Sequence, residues 1–149
     1  MAGALESNDN FGPIEFGYGP CGLYREWFGV PKPARGGYKI HLSCQPEMAE
    51  EIAQFVLSIL RAMKIKHKVC HNLAAYRSQL SGAQRGKFIT IYTDGYQQAQ
   101  RVVGEIDPKL IGMHSGPVPF ARIEGVGHTG PEIRVGNSGL LYTRYMDRF

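Results

Sequence analysis

The segment GGYKIHLS, residues 36–43, has the most informative pattern in the chain. Apolar and aromatic side chains at positions 38, 40 and 42 alternate with Lys39, His41 and Ser43, and this period of two predicts a β-strand with two unlike faces. On its polar face, an ammonium group and an imidazole follow each other at about 7 Å along the chain. The strand therefore predicts a core on one side of a sheet and titratable side chains on the other.

Helical and strand periods alternate on the carboxyl side of this strand. Apolar residues at helical spacing predict a helix over residues 46–63, with Pro46 in its first turn. The segment IKHKV, residues 65–69, predicts a short strand with its two lysines on one face and its other side chains on the opposite face. Residues 71–86 are polar and predict a loop.

The second half of the chain predicts one helix and several strands. KFITIY, residues 87–92, is β-branched and aromatic and predicts a central strand. Asp94 is positioned to cap a second helix that ends at Pro108. The remaining strand candidates are residues 119–124, residues 132–135 and the closing segment GLLYTRY, residues 139–145.

Length and element order predict one α+β domain. The chain has 149 residues, of which 43% are hydrophobic, which suffices for a single core. The elements predict two main helices on a mixed or largely antiparallel sheet. Residues 1–35 are rich in Gly and Pro and keep no helical or strand period, so we expect a segment that packs on a domain formed by residues 36–149.

Composition and charge exclude several classes of protein. The formal net charge of +4 is spread along the chain without a Lys/Arg tract, which argues against nucleic acid and favours a small anionic ligand. An apolar run of about 18 residues is absent, so we expect no membrane span. The cysteines at positions 21, 44 and 70 are odd in number and widely spaced, which predicts neither disulfides nor a zinc site and indicates the cytoplasm.

Lysine and histidine are the candidate proton-transfer groups. A partly buried lysine beside other cations has a lowered pKa and becomes a usable base, and a histidine can hold a proton for a leaving group. If the strands at residues 38–43 and 65–69 border a common cleft, Lys39, His41 and Lys68 converge. Two alternatives stay open: a solvated strand face at Lys39 and His41, and ordinary surface lysines at Lys66 and Lys68.

Arginines near the ends of late strands are the candidate anion ligands. Guanidinium groups bind phosphate bidentately, so Arg122, Arg134 and Arg144, with Arg85 in the loop before residue 87, suit a phosphorylated substrate. A surface ion pair of Arg134 with the nearby Glu132 is the alternative. Because the histidines and cysteines lack metal-ligand spacing, neither a metal nor a cofactor is expected.

The order Gly-aromatic-Lys-Ile-His-hydrophobic-Ser at residues 36–43 resembles the Lys-x-His strand of the phosphothreonine lyase family. That family includes bacterial type III effector lyases and the lyase domains of class III and class IV lanthionine synthetases. The resemblance continues through IKHKV, then GKFITIY at residues 86–92, and GLLYTRY, and it covers residues 36–149. It is closest to the lanthionine synthetase lyase domain.

The resemblance implies a role for each candidate residue. Lys68 would remove the Cα proton of phosphoserine or phosphothreonine, His41 would protonate the departing phosphate, and Lys39 would stabilise the enolate and lower the pKa of Lys68. The groups implied to hold the phosphate are Arg144, Arg134, Tyr92 and Arg122.

One position departs from the family pattern. The family commonly has an arginine about ten residues before the strand tyrosine, and Gly82 stands there in this chain. Arg85 and Arg77 are the candidate replacements.

The resemblance implies a phosphoserine/phosphothreonine lyase that yields dehydroalanine or dehydrobutyrine by β-elimination. Because the chain ends at Phe149, we expect a standalone lyase in lanthipeptide-type biosynthesis, whose precursor peptide is phosphorylated by a separate kinase and closed by a separate cyclase. The alternatives are an effector-type phosphothreonine lyase that acts on a host kinase, and a non-catalytic phosphopeptide- or leader-binding module of the same fold.

Overall fold

The fold is built on one seven-stranded sheet. The computed structural model describes residues 9–82, 84–119 and 132–149. Every neighbouring pair of strands is antiparallel, in the order β1-β2-β4-β5-β3-β7-β6. The strands are β1 Tyr18–Cys21, β2 Tyr24–Trp27, β3 Gly37–Leu42, β4 Lys66–Cys70, β5 Ile89–Tyr92, β6 Ile133–Val135 and β7 Leu141–Met146.

Two long helices cover one face of this sheet. They are α1, Ala49–Ala62, and α3, Tyr96–Leu110; a third helix, α2, spans only Leu73–Ser78. Both long helices are amphipathic and bury apolar residues four positions apart, which confirms the predicted α+β class with two main helices. In the described part of the chain, no helix is both long and apolar enough to span a bilayer.

The alternation predicted for β3 is confirmed. Ile40 and Leu42 are fully buried, and they pair with Ile91 and Ile89 of β5 on the side that the helices cover. Lys39 and His41 point to the other side. The core thus lies between the sheet and the two long helices, and the opposite face is left to polar side chains.

The amino-terminal segment contradicts its predicted irregularity, because β1 and β2 form a hairpin that joins the sheet through β4. Tyr18 and Trp27 pair across this hairpin and are both buried, and the Trp27 indole N–H donates to the carbonyl of Phe16 at 3.0 Å. Two four-residue strands are too short to show a period, so aromatic burial rather than alternation fixes them. The domain boundary at residues 35 and 36 stays a prediction.

Helix ends also differ from the sequence prediction. The expected loop at 71–86 contains α2, whose first turn is capped by the Asn72 side chain, which accepts from the Ala75 N–H at 2.8 Å. Gly95, not Asp94, is the N-cap of α3, and Pro108 lies inside its last turn. Proline removes only one hydrogen bond there, so the helix continues to Leu110. The strand candidate at residues 119–124 lies outside the described residues except for Pro119.

Candidate active site

Strand register gathers polar residues from five strands on the face opposite the helices. Lys68 pairs with Thr90, which pairs with His41, which pairs with Tyr142. Two residues along each strand, a second row runs parallel to the first. We call the full set the cationic face: Lys39, His41, Lys66, Lys68, Thr90, Tyr92, Arg134, Tyr142 and Arg144.

The two candidate lysines lie diagonally across β5 on this face. Burial lowers the pKa of Lys39 to about 8, and the charge of Lys68 is the next largest cause. Burial also lowers the pKa of Lys68, and among its neighbouring cations Lys32 adds to the effect. The family resemblance implies that Lys39 contributes to the lowered pKa of Lys68, and this contribution stays a prediction. Both amines lose their protons more readily than an exposed lysine.

Lys66 and Lys68 differ although they occupy one face of one strand. Lys66 is 5% exposed, its Nζ lies 3.0 Å from Glu26 Oε1, and it donates to the Trp27 carbonyl. Lys68 is half-buried, has no ion-pair partner among the described residues, and its Nζ lies 4.5 Å from the centroid of the Tyr24 ring. A paired ammonium is a poor base, so the geometry favours Lys68 over Lys66.

His41 is almost completely buried between two partners. Its Nδ1 lies 3.1 Å from Thr90 Oγ1, and its Nε2 lies 3.2 Å from Glu132 Oε1. Burial lowers the pKa of His41 to about 4, and the adjacent Glu132 opposes that shift. A carboxylate only accepts hydrogen bonds, so the neutral ring carries its proton on Nε2 and accepts the Thr90 hydroxyl at Nδ1.

The candidate phosphate ligands flank this histidine. Arg144 is paired with Lys39 across β3 and β7, and its Nε lies 4.0 Å from Glu132 Oε1. Arg134 is exposed at the edge strand β6, with its guanidinium 5.8 Å from the centroid of the Tyr142 ring.

The Tyr92 ring is buried on the same face between two ammonium groups. Lys32 Nζ lies 4.9 Å and Lys39 Nζ 5.5 Å from its centroid. Burial raises the pKa of the Tyr92 hydroxyl. This ring therefore links the amino-terminal segment to the strand that holds Lys39.

Two further predicted positions, Arg85 and Arg77, are not brought to this cluster. Arg85 is exposed and its Nε donates to the Val118 carbonyl at 3.2 Å, and Arg77 is exposed in the last turn of α2. Arg122 lies outside the described residues. Gly82 has φ +86, in the left-handed region that favours glycine, so an arginine at this position would be strained.

The structure adds three charged residues that sequence reasoning did not include in the site. Lys32, in the Pro-rich loop before β3, and Lys87, just before β5, are both close enough to lower the pKa of Lys39. Glu132 contacts His41 and Arg144, and its burial disfavours the alternative of a surface ion pair with Arg134. Lys87 and Glu132 lie in segments that the sequence predicts as strands. Their neighbours become visible only when the strands are arranged in the sheet.

A metal ion has no evident place among the described residues, because no three His, Cys, Asp or Glu side chains cluster there. The functional groups of the cationic face are amines, an imidazole and guanidinium groups. Such a set suits the binding of an oxyanion and the transfer of protons next to it.

Known proteins share this architecture. A family model described as RamC, N-terminal domain, matches residues 26–146, whereas no curated protein matches the sequence. The phosphothreonine lyase SpvC, an effector from Salmonella, has a TM-score of 0.55 at 15% identity, over 97% of this chain and 81% of its own. The phosphothreonine lyase effector VirA from Chromobacterium violaceum has a TM-score of 0.60 at 18% identity, over 86% of this chain and 64% of its own. At these identities the likeness establishes a common fold.

Proposed function

Because the chain belongs to the RamC N-terminal domain family and shares its fold with phosphothreonine lyases, we propose that it is itself a lyase. It removes phosphate from phosphothreonine or phosphoserine residues by β-elimination. The observation that carries this proposal is the register that places Lys68, Thr90 and His41 in one row beside Arg144.

The base in this mechanism is Lys68. A Cα–H next to an amide is a weak acid, so the reaction needs a neutral amine as its base. It also needs a positively charged group close to the enolate anion that forms. Burial supplies the first condition by lowering the pKa of Lys68, and the ammonium of Lys39 supplies the second. Lys68 Nζ takes the proton with its lone pair, and the electron pair of the broken Cα–H bond becomes the second bond between Cα and Cβ.

The leaving group departs on the His41 side. The Cβ–O bond breaks, and the bridging oxygen leaves with the phosphate and takes a proton from His41. A bound phosphate dianion favours the imidazolium, so substrate raises the pKa of the group that must donate. The products are a dehydroamino acid and inorganic phosphate, with Lys68 protonated and His41 neutral. Lys68 then returns its proton to solvent, and His41 takes up a proton when the next substrate binds.

The phosphate is held by Arg144, Arg134 and the Lys39 ammonium. The Tyr92 ring packs beneath the Lys39 ammonium and forms the bottom of the binding site. Arg144 lies beside the reacting groups, whereas Arg134 is exposed at the sheet edge, so we assign Arg144 the larger share of the binding energy. Arg122 remains a candidate for a further contact, whereas the exposed Arg85 is directed to the Val118 carbonyl.

A phosphorylated segment of a protein is the substrate class that the structural likeness supports. Two proteins that share the fold are described as phosphothreonine lyase effectors, which favours the effector-type alternative, with a kinase as its target, over the precursor-peptide interpretation. The lanthipeptide pathway, with its separate kinase and cyclase, rests on the resemblance of residues 36–149 alone.

A non-catalytic phosphopeptide-binding module is the second candidate. Gly82 favours it, because this exposed glycine stands where the family commonly has an arginine and its positive φ disfavours that side chain. Binding without turnover would follow if the missing arginine is essential.

Product analysis separates these functions. The purified chain is incubated with a phosphothreonine peptide and EDTA, and a thiol is added to trap the dehydroamino acid. A thiol adduct in the mass spectrum is the expected result, since side chains alone bind the phosphate and move the protons. Recovery of threonine would indicate a phosphatase. Tight peptide binding with neither product would indicate the binding module.

A further inference from the structure

The carboxylate of Glu132 occupies the part of the site where the phosphate is expected. Its side chain is 0% exposed, and Oε1 lies 3.2 Å from His41 Nε2 and 4.0 Å from Arg144 Nε. These two groups are the general acid and the main anion ligand of the proposed lyase. A phosphate that approaches His41 Nε2 beside Arg144 therefore meets this carboxylate.

Glu132 is held in this position by charge attraction rather than by hydrogen bonds of regular geometry. Neither carboxylate oxygen has a partner in regular hydrogen-bond geometry among the described residues, although both are buried. A buried charge without such partners is costly, so the carboxylate is stabilised mainly by the cations of the site. An anion with more charge can replace it.

The surroundings of His41 favour an anion at Nε2. On its own strand lies Lys39; β5 contributes Thr90, β7 contributes Tyr142 and Arg144, and Lys87 adds a further positive charge. The Thr90 hydroxyl occupies Nδ1. Only Nε2 is left for an anionic partner, which is Glu132 in this state.

We propose that Glu132 is a specificity-determining residue that stands in for the phosphate in the empty site and excludes ligands with less charge than a phosphate dianion. The proposal rests on the proposed function. Aspartate and glutamate side chains carry one negative charge, like Glu132 itself, so they gain nothing by displacing it. A phosphomonoester dianion gains more from Arg144, Lys39 and His41 and takes its place. The site thereby rejects acidic but unphosphorylated segments.

The test compares ligand binding to the wild-type chain and to Glu132→Gln by titration calorimetry. The probes are inorganic phosphate and acetate. Removal of the competing charge should tighten phosphate binding on the order of tenfold. It should also make acetate binding measurable, whereas the wild type binds no acetate. Glu47→Gln is the matched control, because Glu47 is exposed and lies 4.0 Å from its ion-pair partner, His114; this substitution should change phosphate binding by less than about twofold.

Weaker or equal phosphate binding by a folded Glu132→Gln chain would overturn the proposal, as would acetate binding by the wild type. If the variant does not fold, nuclear magnetic resonance of the wild-type His41 ring decides. Phosphate should shift the Nε2 resonance strongly. An unchanged Nε2 resonance at saturating phosphate would contradict the displacement of the Glu132 carboxylate by phosphate. Neither measurement needs turnover, so a chain that binds phosphate as expected but eliminates nothing refutes the lyase and leaves the role of Glu132 intact.

Discussion

Among the described residues, each face of the sheet buries one histidine, and the surroundings of the two rings differ. On the helix-covered face, His67 accepts the Tyr18 hydroxyl at Nε2 and donates from Nδ1 to the Ile65 carbonyl, and its ring stacks on Trp27. On the cationic face, His41 contacts Thr90 and Glu132 beside several positive charges. Burial lowers the pKa of both to about 4.

A lowered pKa therefore does not by itself identify a functional histidine. What differs is the set of partners: His67 has two fixed hydrogen bonds, whereas the outer nitrogen of His41 faces a carboxylate that an anionic substrate can replace. We expect the helix-covered face to contribute stability and the cationic face to carry out the proposed chemistry. Substitutions on the two faces should separate these contributions.

The largest expected effect is the loss of elimination in Lys68→Ala. Without the base, the Cα proton stays in place, while phosphopeptide binding through the arginines persists. Mass spectrometry of a phosphothreonine peptide should show no loss of phosphoric acid, and the exposed Lys109→Ala on α3 should behave as the wild type. Normal turnover by Lys68→Ala would transfer the role of base to Lys39, since Lys66 is paired with Glu26.

His41→Ala should slow elimination by roughly 10²–10⁴-fold, the usual contribution of a general acid. The loss should be smaller for an O-thiophosphothreonine peptide, because its leaving group is also dianionic but less basic than phosphate and needs less protonation. The ratio of wild-type to variant kcat for the two peptides measures this difference. An equal loss for both would make His41 structural.

The opposite histidine provides the counterpart. His67→Phe keeps a ring against Trp27 but leaves the Tyr18 hydroxyl and the Ile65 carbonyl without their partner, which should cost about 1–3 kcal/mol of unfolding free energy. Denaturant unfolding measures that loss, and kcat of the folded variant should stay near the wild-type value. A large fall in kcat without loss of stability would show that the two faces are coupled.

Arg144→Ala should raise the KM for phosphopeptide by roughly one to two powers of ten, because a charge-assisted contact contributes on the order of 1.5–3 kcal/mol. A smaller fall in kcat is expected if charge on the phosphate grows as the Cβ–O bond breaks. Arg101→Ala, exposed on α3, is the control. An unchanged KM would remove Arg144 from the phosphate site.

The smallest effect concerns stability against pH. The pKa of Lys39 is about 8 in the folded chain against 10.5 ordinarily, so between these values the unfolded chain binds more protons and stability rises with pH. Lys39→Met removes this term. The variant should be the more stable protein near neutral pH, and its advantage should shrink as pH rises to about 10. Denaturant unfolding at both pH values provides the measurement, and a constant difference would contradict the lowered pKa.

The sequence predicts the sheet face better than it predicts the site on it. The period of two at residues 36–43 places Ile40 and Leu42 inward and Lys39 and His41 outward, and the structure confirms this. Local alternation suffices because a strand has only two faces. The hairpin of β1 and β2 was missed because four-residue strands have no measurable period.

The partners of His41 could not be predicted, because they come from distant parts of the chain. Thr90 is paired with His41 in the β3–β5 register. Glu132 directly precedes β6, on the far side of β7 in the sheet, and its carboxylate contacts His41. Beside Arg134 in sequence, Glu132 suggested a surface ion pair, whereas the structure buries its carboxylate. Lys32 was passed over for the same reason, since its loop has no pattern that points to Tyr92.

Labelling with solvent oxygen distinguishes β-elimination from hydrolysis most directly. The reaction is run in water enriched in oxygen-18, and the oxygen isotopes of the released phosphate are measured. In β-elimination the Cβ–O bond breaks and no water attacks phosphorus, so the released phosphate keeps its four original oxygens. Mass spectrometry should find phosphate without solvent oxygen, together with the dehydroamino acid. One heavy oxygen in the phosphate, with threonine as the other product, would contradict the account, because it requires hydrolysis at phosphorus.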